Sequence, residues 1–337
     1  MKVTVYSTRR YDRRALEAAN AAAGHELDFR SEPLDERTAL LARGSGAVCA
    51  FVNDRLDAAT LGALRAAGVG LVALRCTGRD HVDAAAAERL GMVVMRAPAY
   101  SPHAVAEHAM ALLLALNRRL VRAAERVRRQ DFTLDGLVGS DLNGRSVGIV
   151  GTGRIGTCMA GILRGFGCHV LATDPVPSPE CRALGLRFVP LVELLDRCDA
   201  VTLHCPLVRE TRHLIDAAAL ARMRHGAILV NTARGAVLDT QAAIEALKTG
   251  QLGALGIDVY EGEAPLFFRD LSDGIVTDDV FARLLAFPNV LVTAHQGFLT
   301  HEALRGIAEA TIRNVTCFER GEPRPETTVV PAVAGAR

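Results

Sequence analysis

The sequence of 337 residues contains no tryptophan, and aromatic residues make up only 4% of it. Its charges nearly cancel, with 39 Lys and Arg against 38 Asp and Glu. A protein dedicated to nucleic acid or to an anionic membrane surface needs excess positive charge, and a single-strand binder needs aromatic rings for stacking. Nucleic acid is therefore not an expected partner. We interpret the Arg-rich stretch at 118–129 as a solvated helix face or a subunit contact.

Long hydrophobic runs and paired cysteines are lacking as well. The most apolar helical stretch, 104–116, contains Glu107 and His108 and is shorter than the roughly 20 residues that cross a bilayer. The N-terminus turns basic at Arg9 and Arg10 before the apolar core of a secretion signal can form. The eight cysteines include no C-x-x-C pair, and His81, His103 and His108 lack metal ligands at useful spacing. We expect a cytoplasmic protein with reduced thiols, no membrane partner and no metal.

Short apolar or β-branched runs, separated by helical stretches, recur along the whole chain. This alternation predicts an α/β protein with doubly wound parallel sheets. Several runs, such as 227–230, are continuously apolar, as is typical of strands buried on both faces. The predicted strands are 3–6, 48–52, 71–75, 93–95, 147–150, 170–173, 200–204, 228–231, 255–259 and 290–293.

The length favours two domains, at roughly 150 residues per domain. Ser101 and Pro102 are good residues for a helix start, and they predict a long helix that runs to about Gln130. We place the first crossing between domains just before this helix. The segment 262–288 is a long, less periodic insertion, and loops of that length tend to be functional.

The clearest motif is a strand that leads into Gly-x-Gly-x-x-Gly and then a helix. Gly151 permits a tight turn, Gly153 lets the backbone approach a pyrophosphate, and Gly156 lets helix and strand pack closely. The next strand ends in Asp174, 23 positions after Gly151, where an acid binds ribose hydroxyls and repels a 2′-phosphate. The predicted cofactor is NAD rather than NADP. Four candidate strands precede the motif, so this domain does not open the chain.

Polar residues follow three later strands, and in a doubly wound sheet such residues can converge in one crevice. They include Arg234, the acids Glu261 and Glu263, and His295. An arginine can grip a carboxylate, a histidine can donate a proton, and an acid can orient the imidazole and stabilise its charged form. These residues suffice for reduction of a keto acid. The pattern alone leaves both acids as candidates for the carboxylate role.

These features resemble the D-isomer-specific 2-hydroxyacid dehydrogenases, and in particular the fermentative D-lactate dehydrogenase branch. The resemblance covers nearly the whole chain, in order and spacing. The resemblance predicts an acid after Pro102, and this chain has His103 there instead. The difference concerns substrate access rather than the chemistry. The matching segments are 48–54, 74–78, 98–102, the glycine motif, 204–207, 231–235, 258–263 and 295–300.

The resemblance implies roles for individual residues. Arg234 would bind the substrate, His295 would donate the proton, and Glu263 would pair with it. Thr77 and Gly78 would hold the substrate carboxylate through their backbone, and Tyr100 and Phe298 would bound the small substrate side chain. The cofactor-binding residues would be Gly151, Gly153, Arg154, Ile155, Gly156, Asp174, Cys205, Pro206, Thr232, Ala233 and Asp258.

We therefore expect a flavodoxin-like substrate domain, formed by 1–99 and 299–337, and a Rossmann NAD domain, 100–298, with a cleft between them that closes on its ligands. The expected activity is reversible, NAD-dependent reduction of pyruvate to D-lactate. The handedness rests on the resemblance, which also implies a homodimer or dimer of dimers with the helix from Ser101 as a dimer surface. The alternatives are a dehydrogenase for a larger keto acid (phenylpyruvate, 2-ketoisocaproate or hydroxypyruvate) and an NAD-sensing, corepressor-like binding protein.

Overall fold

The computed structural model describes residues 1–98, 100–322 and 325–331. Ala99, which falls at the predicted domain crossing, lies outside the described residues. The chain forms two compact units. We call residues 1–101 with 299–337 the terminal unit, and residues 102–298 the central unit.

The strands and helices alternate along most of the chain. In chain order the strands are β1 (Lys2–Val5), β2 (Glu26–Phe29), β3 (Ala47–Ala50), β4 (Leu71–Leu74), β5 (Val93–Arg96), β6 (Ser146–Val150), β7 (His169–Thr173), β8 (Arg187–Phe188), β9 (Ala200–Leu203), β10 (Ala227–Asn231), β11 (Leu252–Ile257), β12 (Val290–Val292) and β13 (Thr328–Val330). The α-helices are α1 (Arg10–Asn20), α2 (Ala58–Ala66), α3 (Ala84–Arg89), α4 (Pro102–Asn117), α5 (Leu120–Arg128), α6 (Arg154–Gly165), α7 (Pro179–Ala183), α8 (Leu191–Arg197), α9 (Ala217–Arg222), α10 (Thr240–Lys248), α11 (Asp279–Leu285) and α12 (His301–Arg320).

The terminal unit is built on a six-stranded sheet in the order β13-β5-β4-β3-β1-β2. Its pairings are parallel except that of β13 with β5. Successive residues of β3 point to opposite faces, so Val48 and Cys49 lie in two different apolar clusters. The second cluster is completed by side chains of α12, including Ile312 and Val315. Both faces of this sheet are buried, as the continuous apolar runs predict.

The central unit is built on a seven-stranded sheet in the order β12-β11-β10-β9-β6-β7-β8. All of its pairings are parallel. The strands after β6 first extend the sheet on one side and then, from β9 onward, on the other. This order is that of a Rossmann-type sheet, and it creates a topological switch point between β6 and β9. The predicted fold class, two parallel-sheet α/β domains, is confirmed.

Several helices begin where a side-chain oxygen replaces a missing backbone partner. Asp57 before α2, Asp239 before α10 and Thr300 before α12 each accept the N–H of the residue three positions on. Such N-caps satisfy donors that have no partner inside the helix. These caps mark where the loop before each helix ends.

The prediction of one helix from Pro102 to about Gln130 is wrong. The helix begins at Pro102 as expected, but α4 ends at Asn117, and Arg119 has a φ of 49°. A left-handed residue cannot continue a right-handed helix, so α5 starts as a separate element. The strand count is corrected too, since β2 raises the number of strands before the glycine motif to five. None of the helices in the described part of the chain has the length and apolar character that a membrane span requires.

Candidate active site

The predicted residues of the central unit gather at one edge of its sheet. Strands β6, β9, β10, β11 and β12 are parallel, so their carboxyl ends lie on the same side. The glycine motif follows β6, Cys205 and Pro206 follow β9, Thr232 to Arg234 follow β10, Asp258 and Glu263 follow β11, and His295 follows β12. Ligands of open α/β sheets bind outside these strand ends at the switch point.

Two glycines of the motif are required by close approaches. Gly151 has a φ of 95°, and a Cβ there would lie 2.7 Å from the backbone of His204 and Cys205. A Cβ at Gly156 would collide with the carbonyl oxygen of Gly151. The tight turn and the packing of α6 on the loop therefore both depend on missing side chains.

Gly153 has a different surrounding. A Cβ there would meet nothing within 4 Å, so open space lies beside it. Gly153 is also the N-cap of α6, and the first turn of this helix contains Arg154 and Ile155. A helix N-terminus combines backbone N–H donors with the positive end of the helix dipole. The space in front of α6 therefore fits a pyrophosphate.

Asp174 follows β7 and is bonded to the glycine-rich loop. Its Oδ2 accepts hydrogen bonds from the backbone N–H of Thr152 at 2.6 Å and from Thr152 Oγ1 at 3.1 Å. Its Oδ1 accepts from the N–H of Val176 at 2.8 Å. The carboxylate predicted to bind ribose thus also holds the loop in place, a second role that the sequence did not indicate.

Two buried polar atoms at this edge have no hydrogen-bond partner within the described residues. They are Nδ1 of His204 and Oγ1 of Thr232. Burial lowers the pKa of His204 to about 4, so its ring is neutral near pH 7. Burial also raises the pKa of Cys205 to about 11, which makes it an inert thiol. Buried polar atoms without partners are the kind of group that a polar ligand satisfies.

The loop that carries Arg234 is braced by the last residue of β10. Asn231 accepts the N–H of Ala233 at 3.0 Å through Oδ1 and donates to the carbonyl oxygen of Arg234 at 2.9 Å through Nδ2. The guanidinium of Arg234 donates to the carbonyl oxygen of Ala233 at 2.7 Å. The sequence assigned no role to Asn231, because an amide that bonds only to its own loop leaves no pattern.

The loops after β10 and β11 are in backbone contact. A Cβ at Gly235 would collide with the carbonyl group of Tyr260 and the nitrogen of Glu261. The loop that carries Arg234 therefore packs directly against the loop that carries Glu263. These two predicted residues are thus held on adjoining loops.

The imidazole of His295 pairs with Glu263. Its Nδ1 lies 2.7 Å from Oε1 of Glu263, whose Oε2 accepts the N–H of Tyr260 at 3.0 Å. The ring of Phe268, from the long insertion, lies 5.9 Å from the imidazole, centroid to centroid. The carboxylate is thus fixed on one side by the backbone and presents its other oxygen to the histidine.

Glu261, the other candidate acid, points to a different histidine. Its Oε2 lies 3.0 Å from Nε2 of His213. The structure therefore brings Glu263, and not Glu261, to His295.

Asp258 is buried at the end of β11. Its carboxylate accepts the N–H groups of Gln296 and Gly297, each at 2.8 Å. It therefore contacts the same loop that carries His295.

The remaining predicted residues are Thr77, Gly78, Tyr100 and Phe298. Thr77, Gly78 and Tyr100 belong to the terminal unit, where Thr77 Oγ1 donates to the carbonyl oxygen of Ala97 at 3.0 Å. Phe298 is the last residue of the central unit and is buried. Among the described residues, no group of three or more His, Cys, Asp or Glu is arranged to hold a metal ion.

The residues present fit a dinucleotide. Open space lies at the N-terminus of α6, an acid follows β7, and the two buried polar atoms without partners belong to residues that follow β9 and β10. A histidine–carboxylate pair and an arginine follow later strands of the same sheet. The fold and the site together define an NAD-dependent dehydrogenase.

Comparison with known proteins identifies the family. Residues 110–297 match the family model described as D-isomer specific 2-hydroxyacid dehydrogenase, NAD binding domain. The D-lactate dehydrogenase of Escherichia coli (strain K12) is 48% identical over 329 residues, 98% of this chain and 100% of that protein. Its apo structure has a TM-score of 0.89 and 47% sequence identity, with the same coverage.

Two further solved structures are similar over nearly their whole length. The pyruvate reductase of Chlamydomonas reinhardtii has a TM-score of 0.90 and 45% identity, covering 96% of this chain and 97% of that one. The D-lactate dehydrogenase of Aquifex aeolicus, solved with NAD and lactic acid, has a TM-score of 0.87 and 31% identity, covering 98% and 100%. The chain belongs to the D-isomer-specific 2-hydroxyacid dehydrogenase family, and it is an NAD-dependent enzyme of that family.

Proposed function

We propose that the enzyme reduces pyruvate to D-lactate with NADH, in a reversible reaction. The observation that carries the proposal is the 2.7 Å pair between His295 and Glu263, on the sheet edge that also holds the glycine motif. The similarity to a D-lactate dehydrogenase at 48% identity and to a pyruvate reductase at 45% identity supports pyruvate as the substrate.

In this proposal, His295 donates the proton from Nε2, because Nδ1 is engaged by Glu263. Bound NADH supplies the hydride for the keto carbon. Arg234 grips the substrate carboxylate with its planar fork and stabilises the negative charge that develops on the carbonyl oxygen. Glu263, anchored by the N–H of Tyr260, keeps the imidazole oriented.

The same arrangement gives the two directions opposite pH trends. Reduction of the keto acid requires a protonated His295, and oxidation of the hydroxy acid requires a neutral one. Reduction should therefore fade as the pH rises, while oxidation should strengthen.

The other predicted site residues have supporting roles in the proposal. Thr77 and Gly78 hold the substrate carboxylate through their backbone, and Tyr100 and Phe298 limit the substrate side chain. The family resemblance supports these assignments. The dinucleotide is bound by Gly151, Gly153, Arg154, Ile155, Gly156, Asp174, Cys205, Pro206, Thr232, Ala233 and Asp258.

We also propose that the enzyme is a homodimer, or a dimer of dimers, that uses α5 and the segment after it. This segment exposes several large apolar side chains, among them Phe132 (71% exposed), Leu134 (78%) and Val138 (82%). Clustered apolar side chains on a surface indicate an interaction site. A second copy of this chain is the partner proposed. The cytoplasmic location stays a prediction.

The test is a spectrophotometric assay of NADH oxidation with pyruvate, hydroxypyruvate, 2-ketoisocaproate and phenylpyruvate, with chiral analysis of the product. Highest kcat/KM with pyruvate and a D-product support the proposal. Preference for a bulkier acid would replace pyruvate as the substrate. Tight NADH binding without turnover of any keto acid would instead indicate an NAD-sensing protein.

A further inference from the structure

The carboxylate of Asp258 joins three residues of the loop after β12. It accepts the N–H groups of Gln296 and Gly297 at 2.8 Å and the hydroxyl of Thr293 at 2.6 Å. The backbone carbonyl of Asp258 also accepts the N–H of His295 at 2.7 Å. We call residues 293–297 the histidine loop. One buried residue therefore fixes the start, the middle and the end of this loop.

The histidine loop needs such fixing because its backbone is strained. His295 has a φ of 54°, in the left-handed region that non-glycine residues rarely adopt. A residue held in such a conformation persists only where its surroundings over-determine it. The contacts of Asp258 provide this constraint, and they set the direction in which the imidazole leaves the backbone.

A residue of another element completes the arrangement. Nε2 of His108, on α4, lies 2.9 Å from Oγ1 of Thr293 and 3.3 Å from Oδ1 of Asp258. The single hydroxyl hydrogen of Thr293 is donated to Asp258, so Thr293 can only accept from His108. His108 therefore carries its hydrogen on Nε2 and donates it toward both oxygens.

The electrostatics agree with this geometry. Burial by itself would raise the pKa of Asp258, but hydrogen bonds from His108, Thr293 and Gly297 hold it below its ordinary value. Asp258 is therefore a buried anion that depends on its donors. If one donor is removed, fewer hydrogen bonds remain to stabilise the negative charge of Asp258.

Packing at Gly297 shows how closely these groups fit. A Cβ at position 297 would lie 2.9 Å from Oδ2 of Asp258 and 3.4 Å from the ring of His108. Both side chains thus lie against the backbone of the histidine loop. His108 contacts the loop through the Thr293 hydroxyl, through Asp258 and through this packing.

We propose that His108 is a positioning residue for the dehydrogenase reaction: through Thr293 and Asp258 it holds the strained histidine loop, and with it His295, in the orientation that donates the proton. This inference rests on the proposed function, since it assigns His295 the proton. His108 itself touches neither substrate nor cofactor in this scheme. The sequence pattern showed only a histidine on an apolar helix.

The test compares His108→Gln with His108→Leu in the full-length enzyme. The Nε2 of glutamine can take the place of the imidazole Nε2 as a donor, whereas leucine fills similar space without a donor. We expect His108→Leu to lower kcat for keto-acid reduction about tenfold, the effect of one charge-assisted hydrogen bond, and His108→Gln to stay within about threefold of the parent enzyme. In His108→Leu the Kd for NADH, measured by fluorescence, should change by a smaller factor than kcat, because Asp258 keeps its backbone donors Gln296 and Gly297.

Amide hydrogen exchange gives a readout that does not depend on turnover. The peptide that contains Gln296 and Gly297 should exchange faster in His108→Leu than in the parent enzyme and in His108→Gln. Unchanged exchange in His108→Leu, or equal losses of kcat in the two variants, would overturn the inference. A parent enzyme that reduces no keto acid, but shows the exchange pattern, would refute the proposed function while the positioning of the loop stands.

A second route guards against a His108→Leu variant that does not fold. Thr293→Val removes the hydroxyl that links His108 to Asp258, and Thr293→Ser keeps it. We expect the valine variant to resemble His108→Leu and the serine variant to resemble the parent.

The double variant His108→Leu/Thr293→Val should lose no more activity than the worse single variant, because both substitutions break the same chain of contacts. Additive losses of kcat in the double variant would contradict the positioning role of His108. Glu107→Gln, an exposed neighbour on the same helix, is the matched control and should behave as the parent.

Discussion

Nδ1 of His295 lies 2.7 Å from Oε1 of Glu263, and the neighbouring acid Glu261 pairs with His213 instead. Two acids separated by one residue therefore serve two different histidines. Only the pair with Glu263 includes the histidine that follows β12. Substitution of Glu263 and substitution of Glu261 can therefore be compared directly.

Glu263→Gln should lower kcat for keto-acid reduction by about tenfold or more, because the imidazole of His295 loses its charge-assisted hydrogen bond at Nδ1. Steady-state kinetics in the direction of reduction measure this loss. Glu261→Gln is the control and should leave kcat unchanged. A loss of activity that follows Glu261 and not Glu263 would show that the pair of His295 with Glu263 is not the catalytic one.

Arg234→Lys should lower kcat/KM for pyruvate by a factor on the order of 100 to 1000, because an ammonium group cannot form the two parallel hydrogen bonds of a guanidinium fork. The Kd for NADH should be retained. Arg212→Lys, at an exposed position of the same unit, is the control. Near-normal pyruvate kinetics in Arg234→Lys would remove Arg234 from the substrate site.

Asp174→Ser should raise the ratio of kcat/KM with NADPH to that with NADH by about tenfold or more, because it removes a charge that repels a 2′-phosphate. Activity with NADH should fall as well, since the carboxylate also holds the backbone of Thr152. Asp196→Ser removes an exposed charge from α8 and should leave the ratio unchanged. An unaltered ratio in Asp174→Ser would mean that another residue selects the cofactor.

Acid should destabilise the enzyme through His204, whose pKa burial lowers from 6.5 to about 4. Between these values the unfolded chain binds a proton that the folded protein excludes, so the free energy of unfolding falls as the pH drops from about 6.5 to about 4. The contribution lost by pH 5 is about 2 kcal/mol. Urea unfolding at pH 7 and pH 5 should show a smaller loss in His204→Gln than in the parent. The exposed His169→Gln should match the parent, and an equal loss in all three proteins would exclude His204 as the cause.

Val138→Asp and Leu134→Asp should shift the enzyme toward monomers, because a charge at the centre of an apolar contact has no partner there. Sedimentation velocity over a range of protein concentrations measures the change. Val176→Asp, an equally exposed valine outside this segment, is the control. An oligomer that withstands both substitutions would place the interface elsewhere.

The interior strands of both sheets were predictable from the sequence, whereas three of the four edge strands were not. Central strands such as 227–231 are apolar at nearly every position because both faces are buried, and this pattern is visible in the sequence. The three strands that were missed, β2, β8 and β13, all lie at sheet edges. β2 alternates acids with apolar residues, and β8 has only two residues, so neither forms an apolar run. The break at Arg119 also left no pattern, since arginine is a good helix former.

The candidate site shows the same division. Residues at strand ends could be placed because parallel strands bring their carboxyl ends to one edge. The strand pattern alone left Glu261 and Glu263 as equal candidates, because they differ only in the path of their loop, and only the family resemblance selected Glu263 as the partner of His295. The roles of His108 and Asn231 depend on contacts between residues whose relation appears only in the folded chain.

The missing side chain at Gly235 has a mechanical consequence. Because the two backbones are in contact there, the loop that carries Arg234 and the loop that carries Glu263 have no space to move toward each other. No side chain lies between them to absorb such a displacement. A larger residue at position 235 would therefore displace both loops at once. An engineered variant of this kind would disturb the position of Arg234 and that of Glu263 together.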